Sequence, residues 1–127
     1  MPTIVHFEIP SDNVQRTVKF YNELFGWKAE KMPGPMEYWT FVTTTDDKGV
    51  PTTGGGIMQR QQPQQSITNY IGVDSVTEYS NKVESLGGKV KVQMTEVPGH
   101  GWFAIYTDSE NNTFALWERN PEEQRHQ

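Results

Sequence analysis

Apolar and polar residues alternate along residues 3–9, which is typical of a half-buried β-strand. One side of this strand is entirely apolar and carries Val5, Phe7 and Ile9. The period then changes to that of an amphipathic helix, with an apolar stripe at Val14, Val18, Tyr21, Leu24 and Phe25. Asp12 is predicted to cap the start of this helix, with Gln15 as its capping-box partner, and Gly26 to end it.

The same order of elements recurs in the second half of the chain. Asp12 and Gly26 reappear as Asp74 and Gly88, 62 positions later. The first half is predicted to continue with strands at 27–30, 37–44 and 56–61. The second half is predicted to contain a strand at 67–73, a helix from the Ser75/Glu78 capping box to Gly87, and strands at 89–92, 102–107 and 113–118. Two unrelated βα segments are the alternative to a true repeat.

This element order predicts an α+β fold built from two βαβββ modules, with mostly antiparallel strands. The first module is predicted at residues 3–58 and the second at residues 67–118 of a single domain. Residues 59–66 between them are rich in Gln and have no apolar face, so they are predicted to be a linker. Residues 119–127 are polar and are predicted to form a flexible tail.

Composition narrows the possible functions. The net charge of −5 argues against a nucleic-acid-binding protein, which needs a basic face. The absence of cysteine excludes disulfides, thiolate metal sites and a cysteine nucleophile, and no apolar run reaches the roughly 20 residues of a membrane helix. The first residues lack the basic and apolar regions of a signal peptide, and the absence of cysteine makes the cytoplasm the predicted location.

Several segments resemble the vicinal oxygen chelate superfamily, which includes glyoxalase I, bleomycin-resistance proteins, fosfomycin-resistance enzymes and ring-cleaving dioxygenases. They are HFEIPSD at 6–12, FYNELFGW at 20–27, VDSV at 73–76, LGG at 86–88 and DSENNTFALWE at 108–118. The resemblance implies two βαβββ modules whose sheets curl around a cavity, and it implies a homodimer. The stretch at 20–27 is the most specific of these segments.

The resemblance also allows a test for the metal that enzymes of the superfamily bind. Their ligands are His, Glu or Gln on the first and last strands of the modules. The corresponding positions here carry Ile4, Gly56, Thr68 and Ala115, of which only the threonine has a ligating atom. Divalent ions in proteins take carboxylate oxygen or imidazole nitrogen, so neither the standard metal site nor any cofactor is predicted.

The polar side of the first strand offers other chemistry. His6 and Glu8 share that side and lie about 7 Å apart along the strand, given a rise of about 3.3 Å per residue. They are predicted to face the cavity, where they could bind a ligand, act as a base with a carboxylate partner, or hold a displaced metal ion. A histidine hydrogen-bonded in the cavity wall, with no functional role, is the alternative.

Three further residues are predicted to contact a ligand. Tyr70 occupies the position of the second module that matches His6, and Trp102 adjoins a loop rich in Gly and Pro. His100 lies within that loop, and loops at a cavity mouth often carry function. Packing in the core is the alternative for Tyr70 and Trp102, and simple exposure is the alternative for His100.

Three functions remain open. The first is a protein that binds a small organic molecule in the cavity between the modules, without a metal. The second is a glyoxalase- or dioxygenase-type enzyme with a non-standard divalent metal or with His6 as an acid–base group. The third is a structural or regulatory protein that uses the fold as a scaffold, because fold alone does not determine function.

Overall fold

The computed structural model describes residues 2–45, 47–49 and 51–122. The chain divides into two compact units, one of residues 5–68 and the other of residue 69 onward together with the start of the chain. They are called the first and the second module below. Residues 119–127 are predicted to form a flexible tail, and 123–127 of these lie outside the described residues.

The elements follow the predicted order. They are β1 (Thr3–Ser11), α1 (Val14–Phe25), β2 (Glu30–Lys31), β3 (Tyr38–Thr45), β4 (Pro51–Gln59), β5 (Thr68–Gly72), α2 (Val76–Ser85), β6 (Lys89–Val97), β7 (Gly101–Thr107) and β8 (Thr113–Arg119). The prediction of an α+β fold with βαβββ twice is therefore confirmed. Strand β2 is shorter than its counterpart β6, which has nine residues.

The two modules have the same strand arrangement. The first has the order β2-β3-β4-β1, and the second has the corresponding order β6-β7-β8-β5. In each module the first and last strands pair parallel, and the other neighbours pair antiparallel. Each helix is the crossover that follows the first strand of its module, so each module's sheet is mixed but mostly antiparallel.

Helix α1 begins one residue later than predicted. Asn13, not Asp12, is the N-cap, and its side chain accepts a hydrogen bond from the Arg16 amide. Asp12 instead accepts a hydrogen bond from Arg60 Nε at 2.9 Å. Asn and Asp cap helices equally well, so residue preference alone does not distinguish these two neighbours.

The other helix boundaries agree with the sequence pattern. Gly26 ends α1 in the left-handed conformation with φ of 79°, which a residue with a side chain rarely adopts. Ser75 caps α2 and accepts a hydrogen bond from the Glu78 amide. Gly87, with φ of 99°, follows the end of α2.

The apolar side of β1 packs against α1, as predicted. Ile9 belongs to a buried cluster with Val14, Phe41 and Ile57, and Phe7 packs against it. Trp27 stacks on Phe41 with ring centroids 5.0 Å apart. This packing fixes which side of the first module's sheet faces away from its helix.

The second module has its own core under α2. Val76, Ala104, Tyr106 and Leu116 form the buried cluster, and both Val76 and Tyr106 are fully buried. The Tyr106 hydroxyl shares a hydrogen bond with Ser80 of the helix, so its polar end is satisfied.

In the part of the chain that the structure describes, no helix is long and apolar enough to cross a membrane.

Candidate functional site

The polar side of β1 lies on the face of the first module's sheet opposite α1. His6 pairs in register with Gly54, and Glu8 pairs with Gly56 on β4. Directly opposed residues share a face, so both side chains project over glycines that carry no side chain of their own. The alternation of β1 therefore places an imidazole and a carboxylate on one face of the sheet, beside glycines of β4.

Tyr38 of β3 joins these two groups. Its hydroxyl lies 2.9 Å from His6 Nε2, and it donates a hydrogen bond to Glu8 Oε2 at 2.8 Å. An ionised carboxylate only accepts hydrogen bonds, so the phenol proton points toward Glu8. His6 Nε2 must then carry a proton and donate it to the phenol oxygen. The three residues form the His6–Tyr38–Glu8 chain.

A glycine makes room for this chain. A Cβ atom built on Gly56 would overlap the hydroxyl group and ring of Tyr38. Gly55, one residue earlier, faces the opposite side of the sheet. A Cβ atom built on Gly55 would lie 2.8 Å from Phe7 and 2.9 Å from Phe41. The run of three glycines in β4 therefore allows close packing on both faces, with the site on one and the core on the other.

Burial disfavours the charged form of His6. Desolvation lowers the pKa of His6 below its ordinary value of 6.5, and the negative charge of Glu8 partly opposes this shift. Protonation would charge an imidazole whose Nε2 already donates to Tyr38. The pKa shift therefore agrees with the neutral tautomer that the hydrogen bonds require.

This shift predicts a dependence of stability on pH. Between pH 6.5 and the lower pKa of the folded state, the unfolded chain binds a proton at His6 that the folded chain does not bind. The free energy of unfolding should therefore fall as pH decreases below about 6.5, with a contribution of up to about 1.4 kcal/mol per pH unit. Urea denaturation between pH 7.5 and 5 measures it, with His6→Gln as the comparison. Equal pH dependence in the two proteins would contradict the prediction.

A pocket of about 650 Å³ opens beside His6. Its walls lie entirely in the first module and include His6, Lys28, Glu30, Thr40, Phe41 and Gly54. Glu30 pairs with Thr40, Thr40 pairs with Gly56, and Gly56 pairs with Glu8. Because directly paired residues share a face, Glu30 and Thr40 lie on the face that carries Glu8. The pocket thus brings together an imidazole, a hydroxyl and one side chain of each charge.

The structure places the other three predicted site residues in the second module. Tyr70 is buried, with its ring centroid 6.4 Å from that of Phe103. Trp102 pairs with Glu118, whose carboxylate accepts a hydrogen bond from the Val76 amide at the start of α2. Trp102 therefore lies on the α2 side of this module's sheet, whereas its neighbour Phe103 lies on the other side with Tyr70.

His100 is exposed in the turn between β6 and β7, and its backbone carbonyl accepts from the Asn120 amide. The predicted residues thus form one group only at His6 and Glu8. The ligand-binding roles of Tyr70, His100 and Trp102 stay predictions. Tyr38 was missed as the link in this group, although its position two residues before Thr40 on a strand indicates the same face.

A divalent metal does not fit the positions that the family resemblance assigns to it. Ile4, Gly56 and Ala115 offer no ligating side chain, and Thr68 offers only a hydroxyl. His6 Nε2 and Glu8 Oε2 both point at the Tyr38 hydroxyl. Among residues 2–45, 47–49 and 51–122, no three His, Asp or Glu side chains are grouped to hold an ion.

We therefore expect tag-free protein dialysed against Ni²⁺, Zn²⁺, Mn²⁺ or Fe²⁺ to retain far less than one ion per chain. Elemental analysis after removal of free metal measures this. About one retained ion per chain, lost in a His6→Ala variant, would contradict the prediction.

Comparison with known proteins identifies the family. The profile of the Glyoxalase/Bleomycin resistance protein/Dioxygenase superfamily matches residues 3–116. The anthracycline biosynthesis protein DnrV of Streptomyces peucetius is 30% identical over 128 residues, covering 89% of this chain and 46% of DnrV. A glyoxylase-like domain-containing protein of Didymella fabae is 29% identical over 118 residues, covering 88% of this chain and 90% of that protein.

Solved structures agree on the fold. A methylmalonyl-CoA epimerase of Streptomyces coelicolor in complex with 2-nitronate-propionyl-CoA superimposes with a TM-score of 0.70 at 12% identity, covering 97% of this chain and 98% of the epimerase. The chain spans about half the length of DnrV. From the matched residues and the shared fold, the chain belongs to the Glyoxalase/Bleomycin resistance protein/Dioxygenase superfamily.

Proposed function

We propose that this protein binds a small organic molecule in the pocket of its first module. The observation that carries the proposal is that the pocket opens onto His6, the first member of a hydrogen-bonded chain that ends at Glu8. Such a chain orients the imidazole. A preorganised polar group at the wall of a pocket is what gives a binding site its specificity.

The size and lining of the pocket support this function. Its volume of about 650 Å³ lies within the range of about 300–1,000 Å³ usual for small-ligand sites. Thr40 donates a hydrogen bond from its hydroxyl to Met32 Sδ, and its hydroxyl oxygen can accept one from a ligand. Lys28 and Glu30 carry opposite charges on the same wall, so the pocket does not select strongly for either sign of ligand charge.

Ligand-observed NMR tests the proposal. A library of small organic molecules, mixed in aromatic and charge character, is screened against the protein. Compounds that bind are then tested against His6→Leu, a change of similar side-chain volume that removes both ring nitrogens. We expect several compounds to bind, and their affinity to fall about tenfold in the variant, the equivalent of one hydrogen bond of about 1.4 kcal/mol.

Tyr79→Phe is the matched control for general damage, because Tyr79 packs in the core of the second module. Its affinity for the same compounds should equal that of the unchanged protein. A library without any binding compound, or compounds that bind His6→Leu unchanged, would contradict the proposal. The homodimer, the cytoplasmic location, a site between the modules and any catalytic activity stay predictions.

A further inference from the structure

We propose that the first-module pocket takes a zwitterionic small molecule, one that carries both an ammonium group and a carboxylate group, as an amino acid does. The inference rests on the proposed function, because it names the chemical class of the molecule that this pocket binds. It assigns the carboxylate of that molecule to Lys28 and the ammonium group to Glu30 and Thr40.

Lys28 and Glu30 line the pocket from the segment between α1 and β3. Trp27 and Ala29, which alternate with them, pack against the core cluster beneath α1. Extended chain directs successive side chains to opposite sides, so the even-numbered residues of this segment lie on the side away from that core. Two side chains of opposite charge therefore reach one pocket from positions two apart in the sequence.

Neither of these charges is paired within the chain. Among residues 2–45, 47–49 and 51–122, the Lys28 ammonium and the Glu30 carboxylate form no ion pair and no hydrogen bond, not even with each other. Both residues are exposed, and their unbranched stems rotate, so each charged end can move to meet a ligand group. The pocket therefore offers one cation and one anion that are available for binding.

A second hydrogen-bond acceptor lies directly opposite Glu30. Glu30 pairs in register with Thr40, so both side chains lie on the same face of the sheet. The Thr40 hydroxyl donates to Met32 Sδ at 3.4 Å, because a thioether sulfur can only accept. Its oxygen can then only accept from a ligand. A carboxylate beside a hydroxyl oxygen suits an ammonium group, which has three protons to donate.

A ligand with a single charge is a poorer match for this wall. A carboxylate is attracted by Lys28 but repelled by Glu30, and an ammonium group is attracted by Glu30 but repelled by Lys28. A zwitterion can place each of its groups beside the opposite charge, so both contacts are attractive. Its net charge is zero, which suits a pocket that does not select for either sign.

Matched compounds test the inference. Leucine, phenylalanine and tryptophan are each compared with the amine that lacks the carboxylate and with the acid that lacks the ammonium group. Ligand-observed NMR at low salt measures their affinities. We expect at least one amino acid to bind about threefold more tightly than its amine and its acid, as an exposed ion pair allows. Added salt should reduce this advantage, because it screens exposed charges.

Two substitutions assign the ends of the ligand. Lys28→Met should weaken binding of the amino acid about threefold and remove its advantage over the amine, which lacks the carboxylate. Glu30→Gln should weaken it by a similar factor and remove its advantage over the acid, which lacks the ammonium group. Lys31→Met is the matched control, because Lys31 follows Glu30 on β2 and pairs with Trp39, which packs against the core. It should leave every affinity unchanged.

The outcomes keep this inference apart from the proposed function. Amino acids that bind no more tightly than their amines and acids overturn the inference, and failure of all of these compounds to bind does the same. An advantage that persists in both Lys28→Met and Glu30→Gln also overturns it. In each of these cases the library screen and His6→Leu decide the proposed function separately.

Discussion

A Gly56→Ala variant is expected to break the His6–Tyr38–Glu8 chain and to lower the free energy of unfolding by about 1–3 kcal/mol. The added methyl group would overlap the hydroxyl and ring of Tyr38, so the tyrosine must swing away from His6 and Glu8. The hydrogen bonds of 2.9 and 2.8 Å would then be lost together. Urea denaturation gives the change in stability, and side-chain nitrogen NMR of His6 reports the loss of the donated Nε2–H.

Gly55→Ala is the matched control. Its methyl group would press on Phe7 and Phe41 on the opposite face of the same strand, at 2.8 and 2.9 Å. We expect a loss of stability of similar size, with the His6 NMR signals unchanged. Gly56→Ala with intact His6 signals would mean that Tyr38 is not confined by this glycine, and the packing argument would fail.

Ile57→Ala is expected to lower the free energy of unfolding by about 2–5 kcal/mol, the usual range for emptying a buried aliphatic site. Ile57 is 1% exposed and belongs to the core cluster beneath α1. Many domains are stable by only about 5–15 kcal/mol, so this loss would be a large share of the total. Ile57→Val, which removes a single methylene group, should cost about 0.5–1.5 kcal/mol and serves as the graded control.

The His6 NMR signals distinguish the Ile57→Ala variant from the Gly56→Ala variant. The Ile57 side chain lies on the α1 face, so the folded Ile57→Ala protein should keep the His6 NMR signals of the unchanged protein. A loss of less than 1 kcal/mol would show that the core tolerates the cavity. Altered His6 signals would show that the two faces of β4 are coupled.

The alternation of β1 was enough to predict which side packs and which side holds His6 and Glu8. Val5, Phe7 and Ile9 cannot all face water without a large loss of buried apolar area, so the opposite side had to hold His6 and Glu8. The repeat of the pattern predicted the fold in the same way. In both cases the apolar residues recur every second residue in a strand or every 3.6 residues in a helix. This spacing is visible within a short stretch of sequence.

The role of Tyr38 depended on contacts that no short stretch of sequence contains. Its hydroxyl reaches residues 30 and 32 positions away, and the reach depends on the register between β3 and β4. That register shifts at two irregularities between Val42 and Thr45. The absence of a side chain at Gly56 is visible in the sequence, but its meaning appears only when a tyrosine lies across it.

The side of the sheet on which Trp102 lies could not be predicted from the sequence either. Trp102 and Phe103 are both aromatic, so alternation gives no indication of which ring lies beneath α2. The pairing of Trp102 with Glu118, whose carboxylate binds the start of the helix, decides the question. Asp12 and Asn13 posed the same problem at the start of α1, because both residue types cap helices well and only the structure shows that Asn13 is the cap.

The most direct test of the central claim is to map a bound small molecule onto the chain by backbone amide NMR. Compounds from the library screen are titrated into uniformly labelled protein, and the largest changes in chemical shift are assigned. The proposed function predicts that they fall at His6, Lys28, Thr40 and Gly54, around the first-module pocket. Changes confined to the second module, or none at saturating concentrations of every compound, would contradict it.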